Sequence, residues 1–91
     1  MEYRTMGILK KDGWLVARSA ASHGAVDVFA AKGGRLLLIQ VKSGRARVKK
    51  EELVELVSWG KNSSGDAEVW HFKGGGKLEK RRVYAARKAA E

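Results

Sequence analysis

The chain has 91 residues, 44 % of them hydrophobic, which is enough for one small domain with a single modest core. It contains no cysteine, so disulfides and thiolate metal sites are excluded, and two well-separated histidines argue against a zinc cluster. Its 19 lysines and arginines against 10 acids give a net charge of +9, which predicts a polyanionic partner such as nucleic acid but does not separate an enzyme from a binding module.

Residues 2–12 read as a helix, with Met6, Ile8 and Leu9 apolar, Lys10 and Lys11 near its end, and Asp12-Gly13 as the stop. Gly7 weakens that helix by roughly 1 kcal/mol relative to alanine. A short strand is expected over 14–17, then a small-residue loop over 18–24. The runs 26–31 and 35–42 flank Gly33-Gly34, the pattern of a β-hairpin. The second run is apolar on both faces, as in a central buried strand. Between residues 42 and 50 lie five basic residues and no acid: Lys42, Arg45, Arg47, Lys49 and Lys50. A helix follows over 49–61, with Leu53, Val54, Leu56 and Val57 as its apolar stripe and Glu51, Glu52 and Glu55 towards its start. Strands are expected over 67–73 and 77–84, with Gly74-Gly75-Gly76 as the turn between them. The Ala- and Lys/Arg-rich tail over 85–91 reads as a frayed helix. The order αβββαββ predicts an α/β fold, a mixed sheet flanked by helices, over a single domain spanning 1–91.

No apolar stretch approaches the ~20 residues that cross a bilayer. The start, Met1-Glu2-Tyr3-Arg4, lacks the apolar centre of a signal peptide. A soluble intracellular protein, cytoplasmic or nucleoid-associated, is the expectation, with no membrane partner.

The hairpin brings the chemistry together. A two-residue turn at Gly33-Gly34 sets Lys32 opposite Arg35, Phe29 opposite Leu38, and Asp27 opposite Gln40. Opposed residues share a face with Cβ atoms about 4.5–5.5 Å apart, and Lys42 follows Gln40 on that same face. An acid, an amide and an amine therefore converge. Asp27 suits Mg²⁺, which takes hard oxygen ligands, and Lys42 suits charge stabilisation at a phosphodiester or positioning of the attacking water. The plain alternative is a solvated hairpin end with a weak Asp27–Lys42 ion pair. The two strands are otherwise nearly all apolar, and a buried sheet seldom keeps Asp, Gln and Lys together without a use. Beside such a site, the basic run Arg45, Arg47, Lys49 and Lys50 is expected to track a DNA backbone, with a steep salt dependence. Arg81 and Arg82 extend that surface.

Other candidates carry less. Ser22, His23 and Asp27 have the residue types of a hydrolase triad, but adjacent Ser and His orient poorly and no nucleophile elbow is present. His71 reads as a partly buried structural histidine. The triple glycine lacks the lysine-serine signature of a phosphate loop. Trp59, Trp70 and Phe72 read as core, with self-association as the sharper alternative.

At Gly13-Trp14-Leu15-Val16-Ala17-Arg18-Ser19-Ala20-Ala21-Ser22, Val26-Asp27-Val28 and Leu38-Ile39-Gln40-Val41-Lys42, the chain resembles the PD-(D/E)XK nuclease superfamily, and within it archaeal-type Holliday junction resolvases. The resemblance runs from Glu2 to about Phe72. It implies a restriction-endonuclease-like mixed central sheet and a Mg²⁺-dependent homodimer, with Mn²⁺ as a possible substitute, that cuts four-way DNA junctions. By position, Glu2 matches the helix glutamate that helps hold metal, Ser22 the loop serine implicated in catalysis, Asp27 the metal-binding aspartate and Lys42 the catalytic lysine. Arg18 and Ser19 match residues leading into the loop at the DNA backbone. Gln40 stands where the family has glutamate, as in some other nucleases of the superfamily, Mrr-like restriction enzymes among them. It is carried as a metal-site residue that holds Mg²⁺ more weakly than a glutamate would. The alternatives are an endonuclease of the same fold acting on other branched or duplex DNA, and a non-catalytic DNA-binding module.

Overall fold

The structure is a computed structural model that describes residues 1–20 and 24–86. In chain order the elements are helix α1 (Glu2–Lys11), strands β1 (Leu15–Arg18), β2 (Val28–Lys32) and β3 (Arg35–Ser43), helix α2 (Lys50–Ser63), strand β4 (Asp66–Phe72), a 3-10 turn (Gly74–Gly76) and strand β5 (Leu78–Tyr84). The strands lie side by side in the order β1-β2-β3-β4-β5. Only β3 and β4 run parallel, joined by the crossover through α2; every other neighbouring pair is antiparallel. The expected αβββαββ order is present, and the sheet is mixed.

β3 is the central strand, and its sequence explains why. Leu37, Leu38, Ile39 and Gln40 are all buried, because consecutive side chains enter cores on opposite faces. Leu37 and Ile39 join Val28, Ala30, Trp70, Phe72 and Leu9 of α1 in one core. Leu38 joins Ala25, Val26, Ala67, Val69 and Leu56 of α2 in the other. The two helices thus cover opposite faces. The glycine pair turns the hairpin at φ 56° and 79°, the left-handed backbone that a two-residue turn requires, and Lys32 faces Arg35 as expected.

The sheet separates two cores where one was expected, and the bounds of β1, α2 and β4 shift by one or two residues. β2 begins at Val28 rather than Val26; Val26 instead turns into the α2-side core, 3 % exposed. The buried face of α2 is set by Leu56 and Gly60, whereas Val54 is 62 % exposed. A Cβ on Gly60 would come within 2.7 Å of the Tyr84 ring, so glycine lets α2 approach β5 closely. The tail reading over 87–91 lies outside the described residues. Among the described residues, no helix is long and apolar enough to cross a membrane.

Candidate active site

Asp27 sits one residue before β2, yet its backbone is held on both sides. Its N–H donates to the Ile39 carbonyl at 2.8 Å, and its carbonyl accepts from the Ser19 N–H at 2.9 Å. The paired register ends at Val28 opposite Ile39, and Asp27, one residue beyond it, meets Gln40 through its side chain rather than as a strand partner. One carboxylate oxygen, Oδ2, accepts the Val41 N–H at 2.7 Å and the Gln40 side-chain Nε2–H at 3.4 Å. The other end of that amide is unusual: Gln40 Oε1 is buried and has no hydrogen-bond partner. A buried acceptor left unmatched costs about 1–3 kcal/mol, a cost that a cation, a ligand or a water reaching it would offset.

Lys42 follows on the same face of β3. Its ammonium does not pair with Asp27; it donates to both oxygens of Glu52, at 3.2 and 3.1 Å. Glu52 lies in the first turn of α2, and its Oε1 also accepts the Lys49 N–H at 2.9 Å, a capping-box contact. The short link from Gly44 to Lys49 returns the chain so that the start of α2 stands over the end of β3. This is the carboxyl end of the parallel β3–β4 pair, where open α/β sheets bind ligands. Glu2, Gly24, Asp27, Gln40, Val41, Lys42, Lys49 and Glu52 together line an open cleft of about 370 Å³.

The electrostatics match a cation site. Burial pushes the Asp27 carboxyl above its ordinary value of 3.8; the Val41 N–H opposes that shift, Glu2 adds to it, Lys42 opposes it and Glu52 adds to it. A carboxylate held away from water among other acids gains from an added positive charge. The donors are oxygens, the type Mg²⁺ takes from one or two carboxylates while keeping waters and substrate phosphates. Among the described residues no group of three or more His, Cys, Asp or Glu is placed to hold a metal ion. The fit therefore rests on Asp27 and on the unmatched Gln40 Oε1, with Glu2 lining the same cleft.

Glu52 is the site residue that sequence reasoning missed. It reads there as a helix-start charge only. The available signal was the shortness of the link after Lys42, which places the first turn of the next helix over the strand end.

The model of the archaeal Holliday junction resolvase family matches residues 1–87. The chain belongs to the archaeal Holliday junction resolvase family. These are junction-cleaving endonucleases, and the chain is a nuclease of that kind. A solved resolvase from Archaeoglobus fulgidus, a Holliday junction resolvase of a hyperthermophilic archaeon, superposes with a TM-score of 0.79 over 90 % of this chain and 69 % of its own, at 22 % identity. The fold is thus the restriction-endonuclease-like one that the resemblance implied. No curated protein sequence matches.

Of the other predicted residues of this resolvase, Lys49 lines the cleft and the rest lie elsewhere or outside the described residues. Ser19 is tied to Asp27 through its backbone N–H. The Arg18 guanidinium stacks 5.0 Å over the Tyr3 ring. Arg45 and Lys50 are exposed and do not line the cleft. Arg47 instead lines a second cavity of about 250 Å³ with Val48, Val69, His71, Glu79 and Arg81. His71 is half-buried and its Nε2 lies 2.7 Å from the Gly44 carbonyl, tying β4 to the loop after β3 in the structural role expected of it. Ser22 and His23 lie outside the described residues.

Proposed function

We propose that the resolvase cuts junctions at the Asp27–Gln40–Lys42 cleft, as one domain, with a bound Mg²⁺ for which Mn²⁺ can substitute. The observation that carries this reading is the pairing of a half-buried Asp27 carboxylate with a buried, unmatched Gln40 Oε1 across one hairpin. Asp27 and Gln40 would hold the metal, with Glu2 beside them. When bound, the ion would polarise the scissile phosphate and favour hydroxide formation from a water. Lys42, with its ammonium fixed on Glu52, offers a preorganised positive charge for the developing phosphorane. Ser22 is assigned contact with the scissile strand, and Arg18, Ser19, Arg45, Arg47, Lys49 and Lys50 contact with the backbone. Opposed cuts across a four-way junction need two such sites, so the acting species is a homodimer.

Labelled four-way junctions, flaps and linear duplex incubated with Mg²⁺ test this reading. Paired symmetric nicks confined to junctions are expected, made by a species of dimer mass in sedimentation. Lys42→Met should slow cutting by about 10²–10³-fold with junction binding retained. Cutting of every substrate would favour a general nuclease of this fold. Binding without metal-dependent cutting would sink the catalytic reading.

Arg47 and Arg81, which share the second cavity, extend the basic surface from the cleft towards β5. Replacing either with alanine should weaken binding to all DNA sequences alike and reduce the slope of log affinity against log salt by about 1. A titration series in salt measures it, and an unchanged slope removes that residue from the DNA path.

A further inference from the structure

The cleft holds a carboxylate that the proposed site leaves without a part in binding the metal. We infer that Glu52, from the first turn of α2, is the second acidic ligand of the metal site and supplies the charge that Gln40 lacks. This rests on the reading of the cleft as a metal centre.

Charge is the first reason. The acids lining the cleft are Glu2, Asp27 and Glu52, and the bases are Lys42 and Lys49, so three negative charges face two positive ones. Without Glu52 the lining is neutral, a poor host for a divalent cation. With Gln at position 40, no strand residue beside Asp27 restores the difference.

Geometry is the second. Glu52 shares the cleft with Asp27. A carboxylate offers about four lone-pair positions. Oε1 uses two, on the Lys49 N–H and the Lys42 ammonium; Oε2 uses one, on the Lys42 ammonium. Oε2 therefore retains an acceptor position on a side chain already fixed at two points.

Chemistry is the third. The Lys49 N–H and the Lys42 ammonium both donate to the Glu52 carboxylate, so an incoming cation would meet a carboxylate already held in place. The same anchor keeps the carboxylate at the helix start in register with Lys42. A carboxylate that holds the Lys42 ammonium and also a metal would bring the two positive charges to the same end of the cleft. Glu52 thereby couples the metal to the lysine.

Mn²⁺ titrated into the DNA-free protein, with free ion read by electron paramagnetic resonance, tests this without reference to cleavage. Glu52→Gln keeps an acceptor for the Lys49 N–H, and circular dichroism checks its fold. It should weaken Mn²⁺ binding by at least about tenfold. Gln40→Glu should strengthen binding in the wild-type background and restore it in the Glu52→Gln background. Unchanged Mn²⁺ affinity in Glu52→Gln overturns the inference and leaves Glu52 a positioning residue for Lys42 alone. Failure of Gln40→Glu to restore affinity also overturns it, because a site short of one charge is repaired by a charge at either position. If Asp27→Asn binds Mn²⁺ as the wild type does, the metal reading of the cleft falls, and the assignment of Glu52 with it.

Discussion

Asp27→Asn is expected to abolish junction cleavage and to raise the melting temperature at neutral pH. The first effect follows from the metal site. An amide carries no charge to hold the cation, whose charge stabilisation is worth several kcal/mol, so cutting should fall by at least about 10³-fold. The second follows from the acid's own cost. Its folded-state pKa is raised, chiefly by burial, so the folded protein holds the proton more tightly than the unfolded chain. The carboxyl therefore supports the fold fully below its unfolded value near 3.8, and that contribution is lost as pH rises through the higher folded value. An asparagine has no such loss. It keeps an acceptor for the Val41 N–H, now met at 2.7 Å, and adds a donor in the cleft where Gln40 Oε1 has none. A rise of roughly 2–5 °C at pH 7 is expected, shrinking towards zero below pH 4. Thermal melts at both pH values, beside cleavage and binding assays, measure it. A mutant that melts below the wild type at pH 7 would show that Asp27 stabilises the fold instead of straining it.

The sequence made the hairpin half of this site legible and the helix half not. Gly33-Gly34 fixes a two-residue turn, and the strand period of two then sets the pairing as far as Val28 opposite Ile39; Asp27, one residue beyond the strand, meets Gln40 through its carboxylate. Glu52 arrives by a different route. Its place depends on where α2 lands, and Leu53, Val54, Leu56 and Val57 offer more apolar positions than one helix face can bury. The choice among them is made by Tyr84, more than twenty residues away, whose ring accepts α2 only where Gly60 leaves room. A glycine that reads locally as a weak point in a helix is the contact that sets the helix's rotation. That rotation puts Glu52, two turns earlier on the same side as Gly60 and Leu56, over Lys42.

The buried charges of β4 show the same limit. Asp66 and Glu68 are 7 and 8 % exposed, although alternation alone would send one face of a strand to water. Arg82 of β5 explains Glu68, donating to its Oε2 at 3.0 and 2.7 Å, while Glu68 Oε1 accepts the Trp70 indole N–H at 2.9 Å. Burial raises the Asp66 carboxyl, but the Ala86 N–H, Arg35 and Arg82 together bring it below its usual range. Cross-strand partners of this kind cannot be seen before the β4–β5 register is known, and that register carries an irregularity between Ala67 and Glu68.

Trp70→Ala should be the most damaging core substitution, costing about 3–5 kcal/mol. For a domain of this size that is a drop of roughly 15–30 °C in melting temperature, a large part of a total stability of about 5–15 kcal/mol. Trp70 is 2 % exposed in the α1-side core, and the Lys80 ammonium lies 4.3 Å from its ring centre. Trp70→Phe separates packing from the hydrogen bond. It keeps most of the ring and removes the N–H from Glu68, which retains Arg82, so about 1–3 kcal/mol is expected. Urea unfolding with an unchanged slope gives both values; equal losses would mean that the bond to Glu68, not the packed indole, is what the core depends on. The consequence reaches the active site because Trp70 stands opposite Val41 in the parallel ladder, and the Val41 N–H holds the Asp27 carboxylate. In Trp70→Ala, assayed well below its melting temperature, Mn²⁺ affinity should therefore fall along with stability. In Trp70→Phe it should stay near the wild-type value, since the filled core still fixes β4 against β3.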